Sequence, residues 1–505
     1  MTTLESLIGD TLIFGIPGPR PTLADLRLFR ETHARGLILY RINYRSPEQI
    51  RSLLRDMEES LGRRLTVTLD HEGGRVVMFP EGLTIFPDNL AFGVANRPSW
   101  TAAQGRAEGA ELRRLGIDVS FSPTVDVLTR DYSPNIGIRS YGFDPHRVAA
   151  LATARIRALQ RRGVSACAKH FPGLGPATID PHLDLPVIDV GWRELRKTHL
   201  LPFQVAIRAG VQMVMSSHPL YPRLDPAPKT PATFSRRLIS DLLRREMNFT
   251  GVIASDDLEM GALHRLCPVD RAAVLAARAG HDLILCCHRA DLQRRVFHGL
   301  REAYLSGVLK TRDLELSVER IRTLPSLHRP RFAPGAARPE PDGSRLAREV
   351  ARTAVTVRGG PESPALPLRA RRPLIVFPRF APRASRIMVE PDLIRPLPFL
   401  RRSGAAGGGR PRVSLVEMDP TSADVARVAR EAARADTAVF FCYDAHLHPG
   451  NRRLLRRLES LEIPFVLVLL RDPYDAEFAG PETLVVTAQG YRQCQIAACL
   501  KGIFG

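Results

Sequence analysis

The sequence predicts an α/β protein in which a (β/α)8 barrel is followed by a smaller three-layer α/β/α domain. Eight short apolar runs rich in β-branched residues recur in the first part of the chain, and amphipathic helical segments lie between them. Apolar strands alternating with helices predict a parallel sheet, and eight such units predict a closed barrel. On pattern alone, an open doubly wound sheet is the alternative. The predicted strands are Thr11–Gly15, Gly36–Tyr40, Thr66–Asp70, Asp118–Ser122, Val164–His170, Gln212–Ser217, Gly251–Asp256 and Asp282–Cys286.

Polar side chains gather where these strands end, which favours the barrel. Barrel active sites form at the C-terminal face of the sheet. Asp70 and Glu72 follow the third predicted strand, and Asp126 follows the fourth. Lys169 and His170 end the fifth. Strands six and seven end in Ser216, Ser217 and His218, and in Asp256 and Asp257.

A segment rich in Pro, Gly and Ala indicates a linker in the second half of the chain. We therefore predict the barrel at residues 1–328, the linker at 329–343 and the α/β/α domain at 344–505. A helix is expected at Ser344–Thr356, and the Gly-rich run at 404–410 is predicted to be a loop because it lacks nucleotide-binding spacing. The strands predicted there are Pro373–Phe377, Arg412–Val416, Thr437–Cys442, Phe465–Leu470 and Thr483–Thr487.

Composition excludes several classes of protein. The net charge of +19 suggests nucleic-acid binding, but only five of the 72 basic residues are lysines, and the arginines are mixed with acids along helical segments. Aromatic residues make up 6% and are not interleaved with the arginines, so no nucleic-acid partner is expected. The chain has no apolar run long enough to span a membrane and no basic segment typical of a secretory signal. Seven scattered cysteines without metal-ligand spacing indicate a reduced, cytoplasmic protein.

Two acidic sites in the predicted barrel suggest glycoside hydrolysis, which needs a proton donor and a nucleophile or base. In the run SDDLEM, Asp256 is predicted to point into the barrel as a nucleophile, while Asp257 caps the next helix. The loop from Ala168 to Pro186 holds Asp180 two residues before His182. A carboxylate so close to an imidazole can hydrogen-bond it, fix its tautomer and raise its pKa, which suits an acid/base pair.

Five motifs, in this order, make the chain resemble the two-domain β-N-acetylglucosaminidases of glycoside hydrolase family 3. They are LDHEGGRV (69–76), FSPTVDV (121–127), NIGIRSYG (135–142), AKHFPGLGPATIDPHLDLP (168–186) and GVIASDDLEM (251–260), with a weaker match at LRDPYD (470–475).

The resemblance implies a retaining exo-enzyme without metal or cofactor. It identifies Asp256 as the nucleophile, His182 as the acid/base and Asp180 as its partner. The usual substrate would be a muropeptide fragment, N-acetylglucosaminyl-(anhydro)-N-acetylmuramic acid, met in cell-wall recycling. The groups implied to hold the hydroxyls of the terminal N-acetylglucosamine are Asp70, Arg139, Lys169 and His170.

Three positions depart from the family pattern. Leu174 replaces the usual His, Pro181 replaces Ser, and Met78 stands where an Arg often helps to bind substrate. Two alternatives therefore stay open, namely a phosphorylase that uses phosphate as acceptor and a catalytically silent sugar-binding protein. Neither the aglycon nor the oligomeric state follows from the sequence. In the second domain no catalytic residue is predicted, and Asp444, His446 and His448 are expected to form a solvated loop.

Overall fold

The computed structural model describes residues 3–79, 81–129, 133–177, 185–227, 230–335, 338–381, 390–403 and 411–505. The chain forms two compact units. The first comprises Met1–Glu72, Glu81–Thr84 and Asn96–Gly343. The second comprises Gly73–Pro80, Ile85–Ala95 and Ser344–Gly505, so two segments that follow the third strand group with the C-terminal unit. The linear division of the chain at 328 and 343 stays a prediction.

The first unit is built on eight parallel strands. Each pairs with the next along the chain, and the last returns to the first, with Leu12 opposite Ile284. A parallel bridge between Ala254 and Leu283 closes the circle. The predicted (β/α)8 barrel is thereby confirmed. Its strands are β1 (Leu12–Phe14), β2 (Gly36–Leu39), β3 (Thr66–Leu69), β4 (Val119–Ser120), β5 (Ser165–Phe171), β6 (Met213–Ser216), β7 (Val252–Ala254) and β8 (Ile284–Cys286).

Local signals set the bounds of the helices, as Pro47–Leu61 illustrates. The Ser46 hydroxyl accepts a hydrogen bond from the Gln49 amide, and Gly62 ends the helix with a φ of 62°. The other helices of this unit are Leu4–Asp10, Leu23–Glu31, Pro98–Leu115, Pro145–Arg161, Trp192–Glu194, Leu200–Arg208, Gly261–His264, Val269–Ala279, Ala290–Leu305 and Thr311–Arg322. The segments Leu195–His199 and Arg237–Glu246 are π-helical, and short 3-10 turns lie at Arg41–Asn43, Gly137–Arg139, Ala232–Phe234 and Pro325–His328.

Apolar side chains from the strands form a core within the first unit. Its buried members include Ile13, Phe121, Met213, Val252 and Leu285. Because the strands are covered on both faces, all their residues are buried and most of them are apolar. The side chains that follow the strands can therefore be polar without entering this core.

The second unit contains a six-stranded sheet of β9 (Thr356–Arg358), β10 (Pro373–Pro378), β11 (Arg412–Val416), β12 (Thr437–Cys442), β13 (Phe465–Leu469) and β14 (Leu484–Thr487). The order is β9-β14-β13-β12-β10-β11, parallel except for β9. The prediction missed β9, because its three residues are exposed and carry no hydrophobic pattern. The predicted helix there ends earlier, spanning Pro341–Thr353.

Side chains of β10 show the three layers. Leu374 and Val376 join a core with the helices Ser422–Ala432 and Pro449–Glu459. Ile375 and its neighbour Phe377 face a second core.

That second core contains residues of the helix Gln493–Phe504, so the predicted α/β/α arrangement is confirmed. Among the described residues, the other helical elements of this unit are Asn89–Ala95, Pro391–Ile394, Leu397–Ser403 and the 3-10 segment Pro473–Phe478. A small ribbon of the strands His71–Gly73 and Val76–Val77 follows β3 in the chain. In the described ranges, no helix combines the length and the apolar content that crossing a bilayer requires.

Candidate active site

A buried carboxylate, Glu72, lies at the centre of a charged cluster at the C-terminal ends of β3 and β5. The Arg139 guanidinium donates to both of its oxygens, at 2.8 and 2.7 Å. The Lys169 ammonium lies 2.6 Å from Glu72 Oε1, and the Thr124 hydroxyl donates to Oε2 at 3.2 Å. One carboxylate thus fixes the positions of two cations.

Lys169 joins this buried carboxylate to a second, more open one. Its Nζ lies 2.6 Å from Asp70 Oδ1 as well as 2.6 Å from Glu72 Oε1. The side chain of Asp70 is 21% exposed, whereas that of Glu72 is 1% exposed. Asp70 can therefore accept a hydrogen bond from a ligand hydroxyl, while Glu72 acts on a ligand only through its two cations.

The charges in this cluster stabilise each other. Burial alone would raise the pKa of Glu72, but Arg139 and Lys169 outweigh burial and hold that pKa well below its usual range. Burial would lower the pKa of Lys169, but Asp70 and Glu72 raise it above its ordinary value. Both groups are consequently charged at neutral pH.

His170 is oriented by Asp126, a fully buried residue that follows β4. Its Nδ1 lies 2.7 Å from Asp126 Oδ2, and its backbone amide donates to the same oxygen at 3.2 Å. Since a carboxylate only accepts, Nδ1 carries the proton. The other ring nitrogen, Nε2, lies 3.3 Å from Arg139 Nη2. The structure therefore brings together the predicted residues Asp70, Arg139, Lys169 and His170.

Further hydrogen bonds from neighbouring residues hold Arg139 and the backbone of Glu72 in place. Asn135 accepts from Arg139 Nη1 through its backbone oxygen and its Oδ1, both at 3.0 Å. Arg155, which is fully buried, pairs with both oxygens of Glu108 and donates to the Glu72 carbonyl oxygen at 2.8 Å. The helices that carry Glu108 and Arg155 thus fix the backbone from which Glu72 extends.

Asp256 lies two residues beyond β7 and is half-buried. The amide of Asp257 donates to Asp256 Oδ1 at 2.8 Å. Asp70 and Asp256 both reinforce the effect of burial, which raises the pKa of the Cys167 thiol on β5. The Asp257 amide therefore holds one oxygen of the Asp256 carboxylate in place.

Asp257 differs from its prediction. The next helix, Gly261–His264, begins after Met260 without a side-chain cap. Asp257 Oδ1 instead accepts from the amides of Glu259 and Cys287, at 3.1 and 3.2 Å. Its side chain thus connects the segment after β7 with the segment after β8 and does not cap a helix.

The predicted acid/base pair, Asp180 and His182, lies outside the residues that the structure describes, and so does Pro181. Leu174 is described and is 1% exposed. Its backbone amide donates to Asp126 Oδ1 at 2.6 Å, so this residue's contact with the cluster is made by the main chain.

Sequence reasoning did not assign Glu72 and Asp126 to the site, although both were noted at strand ends. Glu72 holds two cations and Asp126 holds an imidazole, and both carboxylates are buried. In the sequence, each could be noticed only as an acidic residue a few positions after a strand, within the motifs 69–76 and 121–127. That signal does not by itself separate an organising acid from one that contacts a ligand.

The loop after β12 in the second unit was predicted to be solvated, and for Asp444 this prediction is wrong. Asp444 is buried and pairs with Arg471. His446 Nδ1 lies 2.7 Å from Oδ1 of Asp475, which is also buried. Potential ligand atoms of Asp444, His446 and Asp475 lie within 4.8 Å of one another, but Arg471 and the imidazole already occupy the carboxylates, so we assign no metal here.

Comparisons with known proteins show which proteins this chain is similar to. The model of the glycosyl hydrolase family 3 N-terminal domain matches residues 20–324. A β-hexosaminidase of Neisseria meningitidis serogroup C is 36% identical over 289 residues, which cover 54% of this chain and 79% of that protein. A β-hexosaminidase of Methylobacillus flagellatus is 34% identical over 294 residues, covering 55% and 81% respectively.

Solved structures extend the similarity to both units. The family 3 β-N-acetylglucosaminidase from Paenibacillus sp. str. FPU-7 matches with a TM-score of 0.92 and 27% identity, covering 99% of this chain and 96% of that one. The β-glucoside phosphorylase BglX matches with a TM-score of 0.80 and 18% identity over 100% of this chain and 91% of that one, which shows a shared fold alone.

Proposed function

This chain belongs to glycosyl hydrolase family 3 and is a β-hexosaminidase, and we propose that it is a retaining exo-enzyme that removes terminal β-linked N-acetylglucosamine. The observation that carries the proposal is the pairing of Lys169 with the partly exposed Asp70 and the buried Glu72, at 2.6 Å each. A fixed ammonium beside an accessible carboxylate presents one donor and one acceptor, which suits vicinal sugar hydroxyls. The described candidate nucleophile, Asp256, follows a strand of the same barrel.

In this proposal the terminal sugar is held by groups that are already oriented. Asp70 accepts from one hydroxyl and Lys169 donates to a neighbouring one. Arg139 and His170 complete the set. Glu72 and Asp126 keep these donors in place, so little reorganisation is needed when the substrate binds.

Hydrolysis then proceeds by two displacements. An oxygen of Asp256 attacks the anomeric carbon as the bond to the leaving oxygen breaks, and His182 gives its proton to that oxygen. Water next attacks the anomeric carbon and gives a proton to His182, while the bond to Asp256 breaks. Two inversions retain the configuration. Asp180 would hold the imidazole of His182 in the required tautomer.

We further propose that the natural substrates are fragments of peptidoglycan and that the enzyme acts in the cytoplasm. All seven cysteines are free, which supports a reducing compartment. The net charge of +19 favours an anionic substrate such as a muropeptide.

The test is product analysis on a muropeptide and on chitobiose, with and without phosphate. We expect free N-acetylglucosamine from the non-reducing end, at a rate that phosphate does not change. Formation of a sugar 1-phosphate would show that the enzyme is a phosphorylase and would overturn the proposal of hydrolysis. The absence of any product from either substrate, with the wild-type chain folded, would overturn the proposal in favour of a sugar-binding protein.

A further inference from the structure

We propose that Asp257, held between His218 and His288, is a positioning residue that fixes the orientation of the nucleophile Asp256. The inference rests on the proposed function, since it assumes that Asp256 attacks the sugar. It gives Asp257, His218 and His288 roles that neither the sequence motifs nor the comparisons assign to them.

The peptide unit after Asp256 is held from two sides. Its amide, on Asp257, donates to Asp256 Oδ1 at 2.8 Å. The carbonyl oxygen of Asp257 lies 3.0 Å from His218 Nε2, which must donate because a carbonyl only accepts. His218 Nδ1 lies 2.8 Å from Thr233 Oγ1, and His218 is 1% exposed. A buried imidazole thereby anchors the backbone that carries the amide donor.

The side chain of Asp257 is anchored independently, mainly by the segment that follows β8. Oδ1 accepts from the Cys287 amide at 3.2 Å and from the Glu259 amide at 3.1 Å. Oδ2 lies 3.3 Å from His288 Nε2. Glu259 strengthens the same connection, since its Oε1 accepts from the His288 amide at 2.6 Å. These contacts therefore restrict the backbone rotations on either side of the Asp256–Asp257 peptide unit.

This restraint matters for the reaction. One oxygen of Asp256 is held by the Asp257 amide, and this contact sets the direction in which the carboxylate faces. Attack requires the reacting atoms to be close and aligned, and a displacement of about 1 Å can cost roughly 100-fold in rate. A residue that fixes the amide should affect the chemical step more than sugar binding, because the sugar hydroxyls contact other groups.

His288 makes the restraint sensitive to pH. Its hydrogen bond to Asp257 raises the pKa of His288, and burial opposes the shift less strongly. The groups that face this imidazole are Asp257, Glu259 and Tyr40, whose ring centroid lies 4.8 Å from that of His288. Below the His288 pKa the contact to Asp257 is an ion pair, and above it only a neutral hydrogen bond is left. The restraint should therefore weaken as pH rises through that pKa.

The experiment compares Asp257→Asn, His288→Gln and Asp256→Ala with the wild-type chain. The substrate is an activated aryl N-acetyl-β-glucosaminide, whose leaving group needs little protonation. We expect Asp257→Asn to lower kcat about 10-fold to 100-fold while KM changes less than about 2-fold. His288→Gln keeps a donor but no charge, so its kcat should equal the high-pH value of wild type and lose the corresponding step in the pH profile.

Several outcomes would overturn the inference. Wild-type kcat in both Asp257→Asn and His288→Gln would do so, and so would a pH profile of His288→Gln that superimposes on wild type. An equal rise of KM and fall of kcat would indicate a binding role instead. Thermal unfolding shows whether Asp257→Asn is folded, and His288→Gln, altered at a partly exposed side chain, tests the pH effect separately. Full activity of Asp256→Ala would instead refute the proposed function itself.

Discussion

Replacing Glu72 by Gln should destabilise the barrel strongly, although the two side chains have the same shape. Glu72 is 1% exposed and receives two hydrogen bonds from Arg139 and one ion pair from Lys169. Gln keeps one acceptor oxygen but places an NH2 group against donors. Lys169 retains Asp70 as a partner, whereas Arg139 loses the carboxylate that accepts two of its hydrogen bonds.

The expected magnitude follows from this loss of a buried counter-charge. Removing one partner of a buried, hydrogen-bonded ion pair costs about 3–5 kcal/mol, because the remaining charge stays desolvated. Both tryptophans, Trp100 and Trp192, lie in the first unit, so their fluorescence during urea unfolding reports on the barrel. The free energy of unfolding is compared between wild type, Glu72→Gln and the control Asp70→Asn.

Asp70→Asn should lower the free energy of unfolding clearly less, since Asp70 is 21% exposed and Lys169 retains its ion pair with Glu72. Its main effect should be on the KM of the sugar substrate. A loss below about 1 kcal/mol in Glu72→Gln, the range of an exposed ion pair, would refute the view that Glu72 organises the site.

Three further predictions concern binding, proton transfer and pH. Lys169→Ala should raise KM for an N-acetyl-β-glucosaminide at least about 10-fold, because it removes a charge-assisted hydrogen bond of about 1.5–3 kcal/mol; an unchanged KM would exclude Lys169 from the sugar site. His182→Ala should slow substrates with natural leaving groups far more than activated aryl glycosides, since only the former need a proton; equal losses in kcat/KM would show that His182 is not the acid. Burial lowers the pKa of His199 from 6.5 to about 4, so the folded state holds this imidazole neutral, and stability present above pH 6.5 is lost as pH falls towards 4. The free energy of unfolding should fall by about 3 kcal/mol over this range, because one pKa unit corresponds to about 1.36 kcal/mol. Measured by urea unfolding between pH 7 and 4, the free energy of unfolding of His199→Phe should depend less on pH than that of wild type. Identical pH dependence in the two proteins would contradict this assignment.

Most of the barrel could be predicted because its strands are buried on both faces and its helices are amphipathic. These patterns are local and strong. The strand bounds were less accurate. The fourth strand was predicted at Asp118–Ser122, but only Val119–Ser120 pairs as a strand. Strand pairing depends on neighbours distant in sequence, which a single segment does not reveal.

Other features depend on tertiary contacts that leave no local signal. The strand β9 is short and exposed, so its sequence has no hydrophobic alternation. Segments 73–80 and 85–95 group with the second unit, although they follow β3 in the chain. The loop after β12 was predicted to be solvated, yet Asp444 is buried because Arg471 from the loop after β13 pairs with it. In each case the partner lies far away in sequence.

That Asp70, Arg139, Lys169 and His170 belong to one cluster could be predicted from the sequence, but the order of contacts within the cluster could not. Motif matches identified Asp70, Arg139, Lys169 and His170, and the structure brings them together. Glu72 was not assigned, because its role comes from two cations that are 67 and 97 residues away along the chain. The acid/base pair at 180 and 182 rests on the sequence alone, since both residues lie outside the described ranges.

The most direct test of the central claim is to trap the covalent intermediate. The chain is incubated with a fluorinated N-acetylglucosaminyl donor that forms the intermediate faster than water removes it, and the quenched protein is digested and analysed by mass spectrometry. The account predicts an adduct of one glycosyl residue on the peptide that contains Asp256, and none in Asp256→Ala. An adduct on another carboxylate, or product of inverted configuration without any adduct, would contradict it.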